Sequence, residues 1–246
     1  MRLLLVTLLL TACAPAALRP APAGGLQASF SGQGVLWAEG GQVTLARAPG
    51  FQKVAVRVPV GVTAVGWQVA GRESTPWVAL GGLGLLLSAD GRPVTVQAGR
   101  VVALSGTLAY REDGSTVSYD GAPGTGLLGT PDAVLTGGDG QEYAVQNGNL
   151  YRLSSGGQTV LSTAAQPYLY ADLTGAATAN APTVATLDGR YTLTGTALER
   201  RDVAGVLLAS APHPAGLIGV VGGVIVTLQP GGTLRFFAPD LKELQL

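Results

Sequence analysis

The sequence predicts an all-β fold, a six-bladed β-propeller built from four-stranded antiparallel blades. Short runs rich in Val, Leu, Thr and Tyr alternate with glycine-containing breaks, and 37 of the 246 residues are glycine. No long segment repeats its apolar residues with the 3.6-residue period of an amphipathic helix. The breaks return in groups of three at a regular interval. Because three hairpin turns separate four strands, each repeat has the make-up of one propeller blade.

The turn signals form three series, each with a step of about 38 residues, as from Gly32 to Gly222 over five repeats. Glycine suits these positions because it adopts the positive φ of tight hairpins without a steric penalty. The first series is predicted at Gly32, Gly71, Gly106, Gly138, Gly175 and Gly222, and the second at Gly41, Gly82, Gly114, Gly148, Gly189 and Gly231. The third is predicted at Pro49-Gly50, Asp90-Gly91, Asp120-Gly121, Gly156-Gly157, Ala204-Gly205 and Pro239-Asp240.

These turns divide the body of the chain into six repeats, at residues 26–60, 61–99, 100–130, 131–166, 167–213 and 214–246. Residues 42–47 and 53–58 alternate polar with apolar side chains, which is typical of outer strands with one wet face. Residues 101–104 and 217–221 are apolar on both faces, as expected of inner strands between neighbouring blades. Trp37, Trp67 and Trp77 are expected to pack between blades.

Two other architectures fit the same pattern, a seven-bladed ring with one degenerate blade and a pair of β-sandwiches. The fifth repeat is long, with residues 191–202 crowding its middle. Residues 240–243 also have the spacing of a helix capping box. In that case residues 26–30 would complete the sixth blade and close the ring.

The N-terminus has the form of an export signal. Arg2 precedes an unbroken apolar run over residues 3–10, which is about 12 Å long as a helix. A membrane span needs roughly 20 apolar residues, so residues 1–12 are predicted to be a signal peptide. Residues 13–25 are rich in proline, alanine and glycine and are predicted to form a tether to a propeller domain at 26–246.

The segment Leu10-Thr11-Ala12-Cys13 resembles the lipobox of bacterial lipoproteins. The resemblance implies that a signal peptidase recognises Leu10, Thr11 and Ala12 and cuts before Cys13, which carries diacylglycerol and a further acyl chain such as palmitate. Several acyl chains together anchor a protein stably in a membrane. The expected location is therefore the bacterial cell envelope. Ala14 follows the cysteine where similar lipoproteins of the inner membrane carry aspartate, which favours the outer membrane if the organism has one.

The blades also loosely resemble those of quinoprotein-like and surface-layer propeller families. Residues 171–175 (Ala-Asp-Leu-Thr-Gly) are similar to the Ala-x-Asp-x-x-Thr-Gly turn of the quinoprotein-like families. They are one residue shorter than that motif, and its closing tryptophan is missing. The resemblance implies a propeller body and does not identify a substrate or a cofactor.

Reactive side chains are scarce. Fifteen basic and fifteen acidic residues give zero formal charge, and the absence of clustered Lys and Arg argues against nucleic-acid binding. The only histidine, His213, lies between two prolines and is expected on an exposed loop. Acids such as Asp90 and Asp120 precede glycine, and the turn explains them. The sequence therefore predicts no catalytic residue, no metal ligand and no cofactor.

The sequence favours a lipoprotein that acts as a non-catalytic binding or scaffolding propeller, with membrane lipid at Cys13 and an envelope protein as its partners. The alternative is an enzyme at the mouth of the central channel, either a calcium-dependent, lactonase-like hydrolase or a quinoprotein-like enzyme. That alternative predicts acid or amide side chains converging on the channel mouth.

Overall fold

The computed structural model describes residues 25–59, 61–91, 94–136, 141–162, 178–179, 182–186 and 189–246. Within these ranges the chain is built from β-strands, and the one helical element is a 3-10 turn at Gly81–Leu83. The lipobox and the turn at residues 171–175 lie outside the described residues.

The strands form six sheets, and each contains a sequential antiparallel meander of four strands; the first sheet has one additional short strand from later in the chain. Blade 1 contains β1 (Gln27–Ser31), β2 (Gly34–Glu39), β3 (Gln42–Arg47) and β4 (Lys53–Val56). Blade 2 contains β5 (Val62–Ala70), β6 (Glu73–Leu80), β7 (Leu85–Ser88) and β8 (Thr95–Gln97). Blade 3 contains β9 (Val101–Leu104), β10 (Leu108–Arg111), β11 (Thr116–Ser118) and β12 (Pro123–Gly124).

The second half of the chain repeats the arrangement. Blade 4 contains β13 (Ala133–Thr136), β14 (Glu142–Gln146), β15 (Asn149–Ser154) and β16 (Gly157–Ser162). A short strand, β17 (Thr178–Ala179), follows it. Blade 5 contains β18 (Thr183–Thr186), β19 (Gly189–Leu193), β20 (Ala197–Arg201) and β21 (Leu207–Pro212). Blade 6 contains β22 (Leu217–Val221), β23 (Val224–Gln229), β24 (Thr233–Phe237) and β25 (Glu243–Leu244).

The blades are arranged in a ring around their first strands. These inner strands contact each other between blades 1 and 2, 2 and 3, 3 and 4, 5 and 6, and 6 and 1. Six four-stranded blades with neighbours in this cyclic order are the predicted six-bladed β-propeller. The described strands form neither a seventh blade nor a pair of stacked sandwiches.

The hydrophobic core lies between blades rather than at the centre of the ring. Trp67 of blade 2 packs with Leu36 and Leu45 of blade 1, and Phe30 of blade 1 packs with Val226 of blade 6. Burying each such side chain contributes about 1.5–3 kcal/mol. Trp37, Trp67 and Trp77 are all buried, as predicted for residues packed between blades.

Most predicted turns lie between the expected strands, and blade 5 is the exception. Gly189 was expected in its second turn, but it begins β19 and so follows the first turn. The second turn contains Gly195, whose φ is +95°. More residues separate the last strand of blade 4 from the first strand of blade 5 than in the other inter-blade connections, so counting glycines at a fixed interval assigns Gly189 to the wrong turn. Gly138 and Gly175 lie outside the described residues.

The sixth blade is complete without help from the N-terminus. Glu243–Leu244 pair with Phe236 and Phe237 as the fourth strand, so the capped helical turn considered for residues 240–243 does not form. The segment at residues 26–30 instead supplies the inner strand of blade 1. The inner strands at 101–104 and 217–221 and the outer strand at 42–47 are confirmed, and β4 covers the first residues of the predicted strand at 53–58.

Candidate interaction surface

The most exposed apolar side chains of blade 5 lie close together in sequence, at its third turn and the start of its outer strand. Val203 is 96% exposed, Val206 58%, Leu207 48% and Leu208 51%. We call these four residues the blade-five patch. Contiguous exposed apolar surface in a folded protein is typical of an interaction site, whereas single exposed residues are not.

The patch is held on an ordered hairpin. In the turn between β20 and β21, the Asp202 amide donates to the Val206 carbonyl at 3.0 Å, and the Val206 amide donates to Asp202 Oδ1 at 2.8 Å. Arg201 donates to the Gly205 carbonyl at 3.0 Å and forms an ion pair with Glu199 at 2.8 Å. These bonds satisfy the polar groups of the turn. The apolar side chains are therefore presented to solvent by a defined backbone.

The strand that carries the patch has the properties of an accessible sheet edge. β21 is six residues long, is the last strand of its sheet, and has the uncharged sequence LLASAP. Natural proteins usually protect such edges with charged side chains or short strands. β21 carries no charge, although it ends in Pro212 and its pairing with β20 shifts register at Leu208, both of which limit further strand pairing.

The patch lies on the face of the ring opposite to the point where the chain enters the propeller. Successive antiparallel strands run in opposite directions, so the first and third turns of every blade share one face and the second turns share the other. Gln27 begins β1 on the face of the second turns. The β20–β21 turn is a third turn, so it is on the far face.

His213 was expected on an exposed loop, and this prediction is wrong. The side chain is 2% exposed and lies between blades 5 and 6. Its Nδ1 lies 2.7 Å from the Pro214 carbonyl oxygen, which can only accept, so Nδ1 carries the proton. Nε2 then accepts from the Thr227 hydroxyl at 2.8 Å. Burial lowers the pKa of His213, which favours this neutral form.

The His213–Thr227 pair resembles a base and a hydroxyl nucleophile in connectivity, but it is enclosed. The Thr227 side chain is fully buried, and the His213 ring packs edge-on against Phe237 with 5.7 Å between the ring centroids. No substrate can reach the hydroxyl without separating the two blades. The prolines that flank His213 do not expose it because its amide donates to the Thr196 carbonyl at 3.0 Å.

A second buried polar cluster surrounds Glu142 between blades 3 and 4. The carboxylate is 7% exposed. It accepts hydrogen bonds from the hydroxyls of Thr107 and Thr136, and from the Tyr110 hydroxyl at 3.0 Å. Burial raises the pKa of Glu142, while the hydroxyl donors act against that rise. Burial, and then the Glu142 charge, raise the pKa of Tyr110 well above its ordinary value.

The inner strands, which surround the central channel, lack ionisable side chains. The six inner strands contain no Asp, Glu, His, Lys or Arg, as their sequences show. β17 pairs with the inner edge of β1, with Ser29 opposite Ala179 and Phe30 opposite Thr178. Among the described residues no three His, Cys, Asp or Glu side chains are grouped so that they could hold a metal ion.

The predicted site residues Leu10, Thr11, Ala12 and Cys13 lie outside the described residues. No helix in the described part of the chain is both long and apolar enough to cross a bilayer. The blade-five patch was not predicted. Its signal in the sequence is Val206–Leu208, three successive apolar residues where an outer strand should alternate.

No protein-family model matches the sequence, and no curated protein sequence matches it. Solved structures do resemble it. PorZ, a bacterial surface component of the type-IX secretion system of Porphyromonas gingivalis, is 11% identical with a TM-score of 0.55, over 88% of this chain and 37% of PorZ. The likeness shows the fold alone.

Two further neighbours are described as lyases. A streptogramin B lyase is 14% identical with a TM-score of 0.45, over 92% of this chain and 85% of the lyase. A catalytically inactive virginiamycin B lyase from Staphylococcus aureus, with quinupristin, is 10% identical with a TM-score of 0.46, over 90% and 87% of the two chains. These are propeller-like structures.

Proposed function

We propose that this protein is an exported bacterial lipoprotein, anchored in the cell envelope through Cys13, whose propeller binds or scaffolds an envelope protein without catalysing a reaction. The blade-five patch is the observation that carries the proposal. It combines exposed apolar side chains, an ordered turn and an uncharged strand edge, which are features of a protein-binding surface.

Topology supports the same interpretation. β1, which follows the predicted tether, begins on the face of the second turns, and the patch is on the opposite face of the ring. A lipid at Cys13 would therefore attach on the entry side and leave the patch directed away from it. A protein in the envelope is the partner that fits an apolar strand edge in that position.

The arrangement of polar groups favours binding over catalysis. Among the described residues, Glu142 is the buried carboxylate and His213 the buried imidazole that an enzyme could use, and both are enclosed between blades. The inner strands carry no ionisable side chain toward a channel mouth. A lactonase-like or quinoprotein-like enzyme would have to draw its reactive groups from elsewhere.

Site-directed photo-cross-linking tests the patch. A photoreactive benzoylphenylalanine is placed at Val203 in the full chain, expressed in its native envelope. We expect one reproducible protein adduct. Replacing Leu207 and Leu208 together by serine should weaken binding about thirtyfold, because each half-exposed leucine that becomes buried against a partner contributes about 1 kcal/mol.

The matched control places the same photoreactive residue at Leu128, an 87% exposed leucine of blade 3. It should not give the same adduct. The proposal fails if Val203 gives no adduct, if Leu128 gives the same one, or if the serine variant leaves it unchanged.

Metabolic labelling with an alkyne-bearing palmitate analogue tests the anchor separately. The wild-type chain should carry the label, and Cys13→Ser should carry none. Membrane fractionation is a poorer measurement here, because an uncleaved apolar signal can itself retain the variant. Equal labelling of the two chains, or an unlabelled wild type, would refute lipidation while leaving the patch experiment valid.

A further inference from the structure

The outer strand of blade 1 is a second accessible edge, separate from the blade-five patch. Lys53, Val54 and Ala55 of β4 have exposed side chains, and Val56 is half-buried. One edge of β4 pairs with β3, with Leu45 opposite Val54 and Thr44 opposite Ala55. Within the described part of the chain, no strand pairs with its other edge.

An apolar groove runs along one face of β4, toward blade 2. It has a volume of about 610 Å³. Its apolar walls are formed by Leu45, Val54 and Leu87, and the guanidinium-bearing side chains of Arg47 and Arg57 also line it. We call it the apolar groove. Its lining suits an aliphatic side chain that lies near a negative charge.

A polar groove runs along the opposite face of β4, toward blade 6. It has a volume of about 550 Å³ and is lined by Trp37, Gln42, Thr44 and Lys53, together with the backbone at Gly231–Gly232. Its lining offers amide, hydroxyl and ammonium groups and the carboxylate of Glu39. We call it the polar groove.

β4 is the wall that separates the two grooves, and Ala55 lines both. Successive side chains of a strand point to opposite faces of the sheet. A new strand added to the free edge of β4 would therefore direct alternate side chains toward the two grooves. Main-chain hydrogen bonds would supply affinity, and the two linings would supply specificity.

The charge around this edge is positive. Arg47, Lys53 and Arg57 form no ion pair within the described ranges. Asp90 lines the apolar groove and Glu39 lines the polar groove, so the three basic and two acidic groups leave a net charge of +1. Glu39 accepts from the Gly231 amide at 3.0 Å, and Asp90 accepts from a serine hydroxyl at 2.9 Å.

We propose that β4 binds an extended acidic segment of a partner protein, which adds to blade 1 as a fifth strand. Apolar side chains of the segment enter the apolar groove, and its carboxylates point to the opposite face toward Lys53 in the polar groove, with the Arg57 charge attracting them at longer range. Residues 1–24 of this chain contain two arginines and no acid, so their charge does not complement the edge. A second copy of β4 would bring like charges together, which destabilises a strand pair.

Fluorescence anisotropy with a designed probe tests this proposal. The probe is a fluorescein-labelled octapeptide of alternating valine and glutamate, added to the purified full chain in detergent micelles. We expect saturable binding that weakens as salt is added. Lys53→Glu with Arg57→Glu should weaken it about tenfold, because two exposed attractions become repulsions.

Three controls make the result specific. Arg152→Glu reverses an exposed arginine on β15 of blade 4 and should leave binding unchanged. A probe with lysine in place of glutamate should not bind, and neither should a probe N-methylated at alternate amides, which cannot pair along one edge. An unchanged unfolding midpoint shows that each variant is folded.

The proposal is overturned if the glutamate probe does not bind saturably, or if the lysine or N-methylated probe binds equally well. Equal weakening by Arg152→Glu also overturns it, since that would indicate non-specific charge attraction. The result is independent of the blade-five patch, because Val203 and Leu208 are on a different blade.

Discussion

Replacing Glu142 by glutamine should change how the stability of the propeller depends on pH. The side chain is buried between blades 3 and 4. Its partners are neutral hydroxyls, those of Ser105, Thr107, Tyr110 and Thr136. Burial disfavours the charged carboxylate and so raises its pKa in the folded protein. Glutamine keeps an acceptor oxygen and nearly the same shape but has no charge.

The sign of the effect follows from proton linkage. Above the ordinary pKa of 4.5, the unfolded chain has released the Glu142 proton while the folded protein still holds it. The stability that the protonated acid contributes is complete below that value and is lost as pH rises through the raised, folded pKa. One proton corresponds to a slope of at most about 1.4 kcal/mol per pH unit.

The slope should disappear in Glu142→Gln, and the variant should be as stable as the wild type or more stable at neutral pH. Glu142→Ala is the contrasting change. It leaves the hydroxyls of Thr107, Tyr110 and Thr136 without their acceptor, which costs about 1–3 kcal/mol for each group that finds no other partner. The alanine variant should therefore be destabilised at every pH.

Urea unfolding at a series of pH values from 4.5 to 8 measures these effects, with the free energy of unfolding obtained by linear extrapolation. The decisive quantity is the difference between wild type and Glu142→Gln at each pH, because all other titrating groups cancel in it. A difference that does not vary with pH would show that Glu142 keeps an ordinary pKa, and the reasoning from burial would be wrong.

Two further changes test the contacts between blades. Trp67→Phe removes the indole donor that bonds the Ser29 carbonyl at 2.9 Å across blades 1 and 2, and urea unfolding should show a loss of about 1–3 kcal/mol. Gly219→Ala would place Cβ 2.2 Å from the ring of buried Phe30 and should lower the free energy of unfolding by about 1–3 kcal/mol or more. Gly32→Ala, which has open space around its Cβ, should leave the unfolding midpoint nearly unchanged.

The number of blades could be predicted because turn chemistry is local. A hairpin needs a residue that tolerates positive φ, and Gly41, Gly114 and Gly231 meet that need with φ of 80°, 85° and 82°. The same reasoning failed at Gly189 in blade 5. The spacing of glycines does not show which segments connect two blades. Because extra residues precede β18, Gly189 was assigned to the second turn of blade 5 although it follows the first.

The polar clusters could not be predicted, because their members come from different blades. Thr107 and Glu142 are 35 residues apart, and their contact depends on how two sheets pack. His213 illustrates the same limit. Two flanking prolines indicate a loop, but they do not reveal that Thr227 and Phe237 of the next blade cover the imidazole.

The inner and outer strands of this ring differ in how strongly packing against neighbouring blades constrains their side chains. Inner strands are packed on both faces, so their residues are constrained by the neighbouring blades, and a charge there would be buried without a partner. Outer strands such as β4 and β21 have one free edge and few such contacts. They can carry exposed apolar or charged side chains without weakening the packing of the ring. Partner binding is therefore expected at the rim. The titratable groups enclosed between blades instead affect the free energy of unfolding.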